Sequence, residues 1–241
     1  MENFYPPIGV IQTCFKEKFG IPRQSLMVKD AVGILKLNPD PEYRTAFNHL
    51  EDFSHIWVIF VFHQHSNWRP TTRPPRIDGP RRVGIFASRS PHRPNPIGLS
   101  AVKLEKIDLN APGGIEIHVS GVDIMDGSPI LDIKPYIPFA DRIAEANGGW
   151  AEGEITRHPV SFSAKSLELL DQLSAVEYPR LKLLITQMLE WDPRPTTQRR
   201  AKPIQDPAMH GQEFFFRVSD FDVRWQIVDQ AIHVLDLIPQ K

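Results

Sequence analysis

Hydrophobic positions in the first 137 residues come in short, separate runs rather than at helical spacing. Seven of these runs predict strands: IGVIQT from Ile8, AVGILKL from Ala31, IWVIFVFH from Ile56, VGIFAS from Val83, LSAVKLEKI from Leu99, IEIHVSGVDI from Ile115 and ILDIKPY from Ile130. Alternation is clearest at Ile115, Ile117 and Val119, where every second side chain faces one side of a sheet. IWVIFVF is apolar at both parities, which predicts a central strand covered on both faces. Seven strands with irregular connectors predict a closed or nearly closed barrel. One helix is expected over residues 41–51, with Pro41 in its first turn.

The pattern changes after residue 137. Periodicity is lost to about residue 159 and Gly148-Gly149 appears, which reads as a linker, set at 146–159 between a barrel domain at 5–145 and a second domain at 160–241. In that second domain Leu167, Leu170 and Leu173 fit one helix. Pro179 opens another that carries Leu181, Leu184, Ile185 and Met188, and DPRP from Asp192 ends it. Two or three strands follow, with Val223, Trp225 and Ile227 on one face. The predicted fold is mainly β, a non-Rossmann barrel followed by a small α+β domain.

A chain of 241 residues can bury a core without disulfide or metal staples. Its longest apolar stretch, residues 56–62, is far short of the ~20 residues that a spanning helix needs. The N-terminal MENFYPPIG has neither a basic start nor an apolar core, so the cytoplasm is the expected compartment and no membrane is expected. Cys14 stands alone, which excludes an internal disulfide and favours a buried structural thiol.

The net charge of -1 hides an asymmetry. Residues 69–98 hold seven arginines (69, 73, 76, 81, 82, 89 and 93), no lysine, a single acid at Asp78 and seven of the 23 prolines. Arginine without lysine favours planar, bidentate contacts with anions over a diffuse solubilising charge. Prolines stiffen a segment that cannot be regular helix.

Several chemistries lack support. No G-x-G-x-x-G occurs, so a dinucleotide fold or a Rossmann-like methyltransferase is not indicated. His63 and His65 would point to opposite faces of a strand, and no metal is expected. No G-x-S-x-G elbow is present. Four polar segments do lie at strand ends, where a rigid scaffold offers groups to a ligand: IPRQ (21–24), FHQH (62–65), SRSPHRPNPIG (88–98) and DGSPILDIKPY (126–136). Asp126-Gly127-Ser128 by itself is also the pattern of a hairpin turn.

These segments carry a resemblance. GVIQTCFKEKFGIPRQ, EDFSHIWVIFVFHQ, WRPTTRPPR, GIFASRSPHRPNPIGLSAVKL and DGSPILDIKPYIPFA resemble the TsaA-like (YaeB/VirR) family of tRNA methyltransferases, TrmO, strongly over residues 5–145, with DPRP and FDVRW extending the likeness. The resemblance implies a β-barrel enzyme that uses S-adenosyl-L-methionine. The implied reaction is N6-methylation of N6-threonylcarbamoyladenosine just 3′ of the anticodon, with the tRNA anticodon stem-loop as partner. It also implies a homodimer with the cofactor near the interface. Family cofactor contacts map onto Pro22, Arg23 and Gln24, His63 and Gln64, Arg89, Leu99, and Asp126, Gly127, Ser128 and Pro129.

On that view the loop at 88–98 is a proline-stiffened device for positioning anion and cofactor, with Arg89 or Arg93 available to the threonyl carboxylate. Arg69, Arg73, Arg76, Arg81, Arg82 and Arg93 are the candidates for tRNA contact. His63, Asp126 and Tyr136 are of the right type to accept the N6 proton, and the sequence does not rank them. A noncatalytic RNA-binding or cofactor-sensing barrel that keeps the pocket is the alternative.

Overall fold

The computed structural model describes residues 5–65, 67–75, 81–175 and 177–240. Arg76 lies outside them. The chain forms two compact units that are not contiguous in sequence. The first comprises Met1–Gln12, Gly33–Ser120 and Gly127–Glu154, and the second Thr13–Val32, Gly121–Asp126 and Ile155–Lys241.

The first unit is built on strands β1 (Gly9–Thr13), β2 (Val32–Leu37), β3 (His55–Val61), β4 (Thr71–Thr72), β5 (Val83–Gly84), β6 (Ile97–Ala111), β7 (Gly114–Ser120) and β8 (Pro129–Pro135). Six of them close a barrel in the order β1-β2-β7-β6-β3-β8, while β4 and β5 pair as a separate ribbon. Ile11, Leu35, Ile56, Val58, Phe60, Val102, Ile117 and Ile130 fill the interior and are all nearly inaccessible. β6 slips register against β7 at Leu104/Lys106 and again at Asp108/Ala111. Such bulges bend a long strand, as barrel closure requires.

Three expectations need correction. IWVIFVF is not covered on both faces: burial along β3 alternates, with Trp57, Ile59 and Val61 half-buried, because a single-sheeted barrel encloses only its inner face. VGIFAS contributes no barrel strand. It gives the two residues of β5 and then a 3-10 turn at Ile85–Ala87. The helix expected at 41–51 shrinks to α1 (Tyr43–Ala46) and a 3-10 turn at Leu50–Asp52, interrupted where His49 takes φ +67°. A second short helix, α2 (Pro138–Asp141), follows β8.

The second unit holds β9 (Val160–Phe162), α3 (Ala164–Ser174), α4 (Leu181–Leu189), α5 (Thr196–Ala201), β10 (Glu213–Val218), β11 (Phe221–Val228) and β12 (Ala231–Pro239). Its four-stranded sheet runs β10-β11-β12-β9: three strands follow the DPRP turn, within the two or three expected there, and β9, which precedes α3, adds a fourth, parallel to β12. Ser163 caps α3, its side chain accepting from Ser166 N at 3.1 Å. Val223, Trp225 and Ile227 share the buried face of β11, as the alternation predicts.

The inner segments of this unit depart from the contiguous division at 145–160. Polar bonds explain why 13–32 groups with the C-terminal residues. Trp191 Nε1 donates to Met27 O at 3.1 Å, Asp30 N donates to Gln187 Oε1 at 3.0 Å, and Arg180 pairs with Asp30 at 3.3 Å.

Candidate functional site

Register decides which polar segments meet. β3 runs antiparallel to both β6 and β8, so Phe60 lies opposite Gly98 on one side and Ile130 on the other, and Val61 lies opposite Ile97. The end of β3 therefore coincides with the starts of β6 and β8. FHQH, the loop at 88–98 and Gly127-Ser128-Pro129 converge at that barrel end.

His63 and Ser128 are in direct contact there, with Nδ1 and Oγ 3.2 Å apart. Ser128 is only 2% exposed, whereas His63 and Gln64 are exposed. The turn before Ser128 is fixed by its backbone: Gly127 N donates to Ile11 O at 2.8 Å and Ile11 N to Ser128 O at 3.1 Å. Gly127 sits at φ +74° with open space where a Cβ would go, so the backbone angle, not crowding, calls for glycine.

The loop at 88–98 is tied down by more than its prolines. Phe62 N donates to Pro96 O at 2.8 Å and Arg69 N to His92 O at 3.1 Å. The His92 ring meets the His65 ring edge-on at 4.7 Å, with Nδ1 3.3 Å from Asn67 O. Ser88 and Ser90 side chains accept from Ser90 N and His92 N, each at 3.4 Å. Arg93 turns back into the loop, NH1 donating to Ser88 O at 2.7 Å and Ser90 O at 3.4 Å, with its guanidinium 6.0 Å from the Phe86 ring. Arg89 stands exposed on the same loop.

The other candidates divide. Arg82 spends its fork on the β4–β5 ribbon, bonding Thr71 Oγ1 and O, each at 2.9 Å. Arg69, Arg73 and Arg81 are exposed. Leu99 is 54% exposed on the outer face of β6, beside Ile97 at 45%. Two exposed aromatics next to arginines were not singled out by the sequence motifs: Trp68 at 55% and Phe86 at 78%. The adjacency WR and the FASR tetrapeptide were the available signals.

Tyr136 lies apart from these groups. Its N–H donates to His55 O at 3.0 Å and its ring packs at 5.5 Å on Trp57, which puts it beside the start of β3. At about 3.3 Å per residue, β3 carries His63 about 20 Å away, so the tyrosine does not share a site with the histidine.

The remaining candidates belong to the second unit. The Asp126 carboxylate is already engaged, Oδ1 accepting from Thr13 N at 2.8 Å and Oδ2 pairing with Lys16 Nζ at 2.9 Å. Pro22 and Gln24 are half-buried, and Arg23 is exposed. Loss of water around its guanidinium, then the like charge of Arg199, pushes Arg23 down to about 10. Burial pushes the Cys14 thiol up to about 12, which makes it inert. Among the described residues no group of three or more His, Cys, Asp or Glu is placed to hold a metal, and no helix is long and apolar enough to cross a membrane.

A closed barrel whose polar loops gather at one end presents a candidate ligand site on a non-Rossmann scaffold. Residues 10–142 match the tRNA-methyltransferase O N-terminal domain and residues 156–240 the TrmO C-terminal domain, so the chain belongs to the TrmO family. It is 40% identical over 246 residues to the tRNA (adenine(37)-N6)-methyltransferase of Escherichia coli K12, covering 100% of both chains. A Pseudomonas aeruginosa chain, provisionally named as an S-adenosylmethionine-dependent methyltransferase, is 39% identical over 98% of each. The crystal structure of TrmO from Pseudomonas aeruginosa superposes with a TM-score of 0.78 at 36% identity, covering 98% of this chain and 99% of that one.

Proposed function

We propose that this chain methylates N6 of adenosine 37 in tRNA with S-adenosyl-L-methionine, and that the adenosine it accepts carries the N6-threonylcarbamoyl group. The full-length identity to the E. coli tRNA (adenine(37)-N6)-methyltransferase carries this conclusion.

The groups at the barrel end fit the cofactor. His63, Gln64 and the buried Ser128 offer donors and acceptors, Arg89 a cation for a carboxylate, and Leu99 and Pro129 apolar surface. When bound, S-adenosyl-L-methionine supplies a sulfonium methyl carbon as electrophile. The chain's own task is then to align the acceptor nitrogen and to take its proton.

His63 suits the second role better than its rivals. Asp126 is neutralised by Lys16 and Tyr136 lies at the other barrel end. If Ser128 Oγ accepts from Nδ1–H, the imidazole keeps Nε2 unprotonated and available as base. Ser128 thereby acts as a positioning residue. The exposed arginines 69, 73, 81 and 89, together with Trp68 and Phe86, supply the phosphate contacts and stacking surfaces that an unpaired RNA loop requires.

A homodimer belongs to the same proposal. The outer faces of β3 and β6 bring together Trp57, Ile59, Val61, Ile97, Leu99 and Ala101 in cross-strand pairs, an apolar surface suited to a second copy. Leu99→Glu should yield a monomer in light scattering, and an unchanged mass would place any dimer contact elsewhere. Such an enzyme works where mature tRNA is found, in the cytoplasm.

The test is methyl transfer from a labelled donor to tRNA with and without the threonylcarbamoyl group. Label should enter modified tRNA. Ser128→Ala should lower kcat by about tenfold, less than the roughly 10²–10⁴-fold that losing a general base outright costs, and alter its pH profile with little change in KM for tRNA. Equal labelling of both tRNAs would remove the substrate claim. Labelling of neither would leave the noncatalytic RNA-binding barrel.

A further inference from the structure

The second unit gathers several arginines around the turn that follows α4. After α4 the chain turns through Asp192 at φ +49° into DPRP, and α5 then presents Arg199 and Arg200 in its last turn. Asp192 and Arg194 are 4% and 3% exposed and form a bidentate pair, Nε to Oδ1 at 2.8 Å and NH2 to Oδ2 at 2.7 Å. Arg194 NH1 goes to Lys202 O at 3.0 Å and its guanidinium lies 5.3 Å from the Phe214 ring. The Asp192 carboxylate is thus hydrogen-bonded to Arg194, and its charge also reaches Arg23 and Arg199.

Arg199 is left in a different condition. Its Nε is buried and has no hydrogen-bond partner among the described residues. Arg23, on the segment 13–32, lies within electrostatic reach of Arg199 and Arg200, and His158 within reach of Asp192, Arg194 and Arg199. Arg199, Arg200 and Arg23 therefore share a neighbourhood in which like charges oppose one another, while the Asp192 carboxylate attracts Arg23 and Arg199. Complementing the carbonyl end of α5 does not explain this, since that end is a six-residue helix with a small dipole. A buried donor without a partner, held among like charges, marks a place that an anion completes.

We propose that Arg199, with Arg23 and Arg200, forms an anion site on the second unit that takes a backbone phosphate of the tRNA. This rests on the tRNA reading above. Phosphate suits the site because several guanidinium groups can share its oxygens, and planar forks pair with it in bidentate fashion. The site gives the second unit a share in RNA binding that the arginine-rich stretch at 69–98 does not cover.

Fluorescence anisotropy of labelled tRNA against Arg199→Gln and Arg200→Gln, over a range of salt, tests the site. Arg199→Gln should weaken binding about three- to tenfold and reduce the slope of log K against log salt by about 0.7 to 0.9, the counterion release of one lost phosphate contact. Affinity for S-adenosyl-L-methionine should stay the same, and the melting temperature should hold or rise as repulsion is relieved. Arg200→Gln should weaken binding in the same sense. Unchanged tRNA affinity and slope in both variants overturns the proposal. So does a fall in cofactor affinity in Arg199→Gln, which would make the anion a cofactor carboxylate. A lower melting temperature with normal tRNA binding makes the cluster structural. Inorganic phosphate that stabilises the wild type, in a chain that binds no tRNA, shows an adventitious ion only and also sinks the tRNA reading. Wild-type binding that neither variant alters sinks only the site.

Discussion

Gly98→Ala probes the joint between the loop and the barrel. Gly98 is buried at the start of β6, directly opposite Phe60 of β3. A Cβ there would lie 2.2 Å from Phe60 Cζ and 2.5 and 2.6 Å from the two Cε atoms. Ordinary carbon contacts need about 3.5 to 4.0 Å, so the ring must withdraw by more than about 1 Å. It has little room, being 3% exposed and packed edge-on against Phe62 at 5.1 Å. Overpacking of this kind costs about 1–3 kcal/mol. For a chain of this size that is a fall in melting temperature of about 2–12 °C. Because Phe62 bonds to Pro96 and leads into His63, cofactor affinity should fall as well. Differential scanning calorimetry and titration calorimetry measure the two effects. Phe60→Leu should relieve the clash, so the double variant should be more stable than the sum of the single effects by at least about 0.5 kcal/mol. An unchanged melting temperature in Gly98→Ala, or strict additivity with Phe60→Leu, refutes the packing described.

Tyr136→Phe should leave kcat and its pH profile intact, because the ring sits beside His55 and Trp57 at the far end of β3. A loss of activity comparable to that of His63→Ala, followed by methyl-transfer kinetics, would restore the tyrosine to the site. Cys14, 8% exposed and with its thiol pushed up by burial, should resist a thiol reagent in the native state and react fully in denaturant, as counted by mass spectrometry. Burial, ahead of the like charges of Arg194 and Arg199 and against the opposing pull of Asp192, holds the His158 imidazole below its ordinary range. The unfolded chain then binds that proton more readily. Stability should fall as pH drops from about 6.5 through the lower folded value, and His158→Gln should flatten that loss in thermal melts; an equally steep loss in the variant would refute it.

The barrel was legible because each strand carries its own signal. Six of the seven apolar runs became barrel strands, and alternation marked which residues face inward. VGIFAS failed because an apolar tripeptide after Gly84 closes as readily into a 3-10 turn as it extends, and only its neighbours decide. The site was harder to read. DGSPILDIKPY reads as one motif, yet it spans a strand, so Ser128 and Tyr136 emerge at opposite ends of it. Sequence adjacency cannot express that separation; register can. IPRQ shows no periodicity of its own, and the segment around it takes its place from bonds to residues more than 150 positions away, such as Trp191 to Met27 and Gln187 to Asp30. The bonds that turn Arg93 and Arg82 inward to carbonyl oxygens are likewise invisible in a count of arginines.

The most direct test is nucleoside mass analysis of tRNA digested after incubation with the purified chain and S-adenosyl-L-methionine. Threonylcarbamoyladenosine should be converted to a nucleoside one methyl group heavier, and fragmentation should place that methyl on the base portion at N6. A methyl found on the ribose, on the threonyl group or on plain adenosine would contradict the account, as would threonylcarbamoyladenosine left unchanged in the presence of bound cofactor.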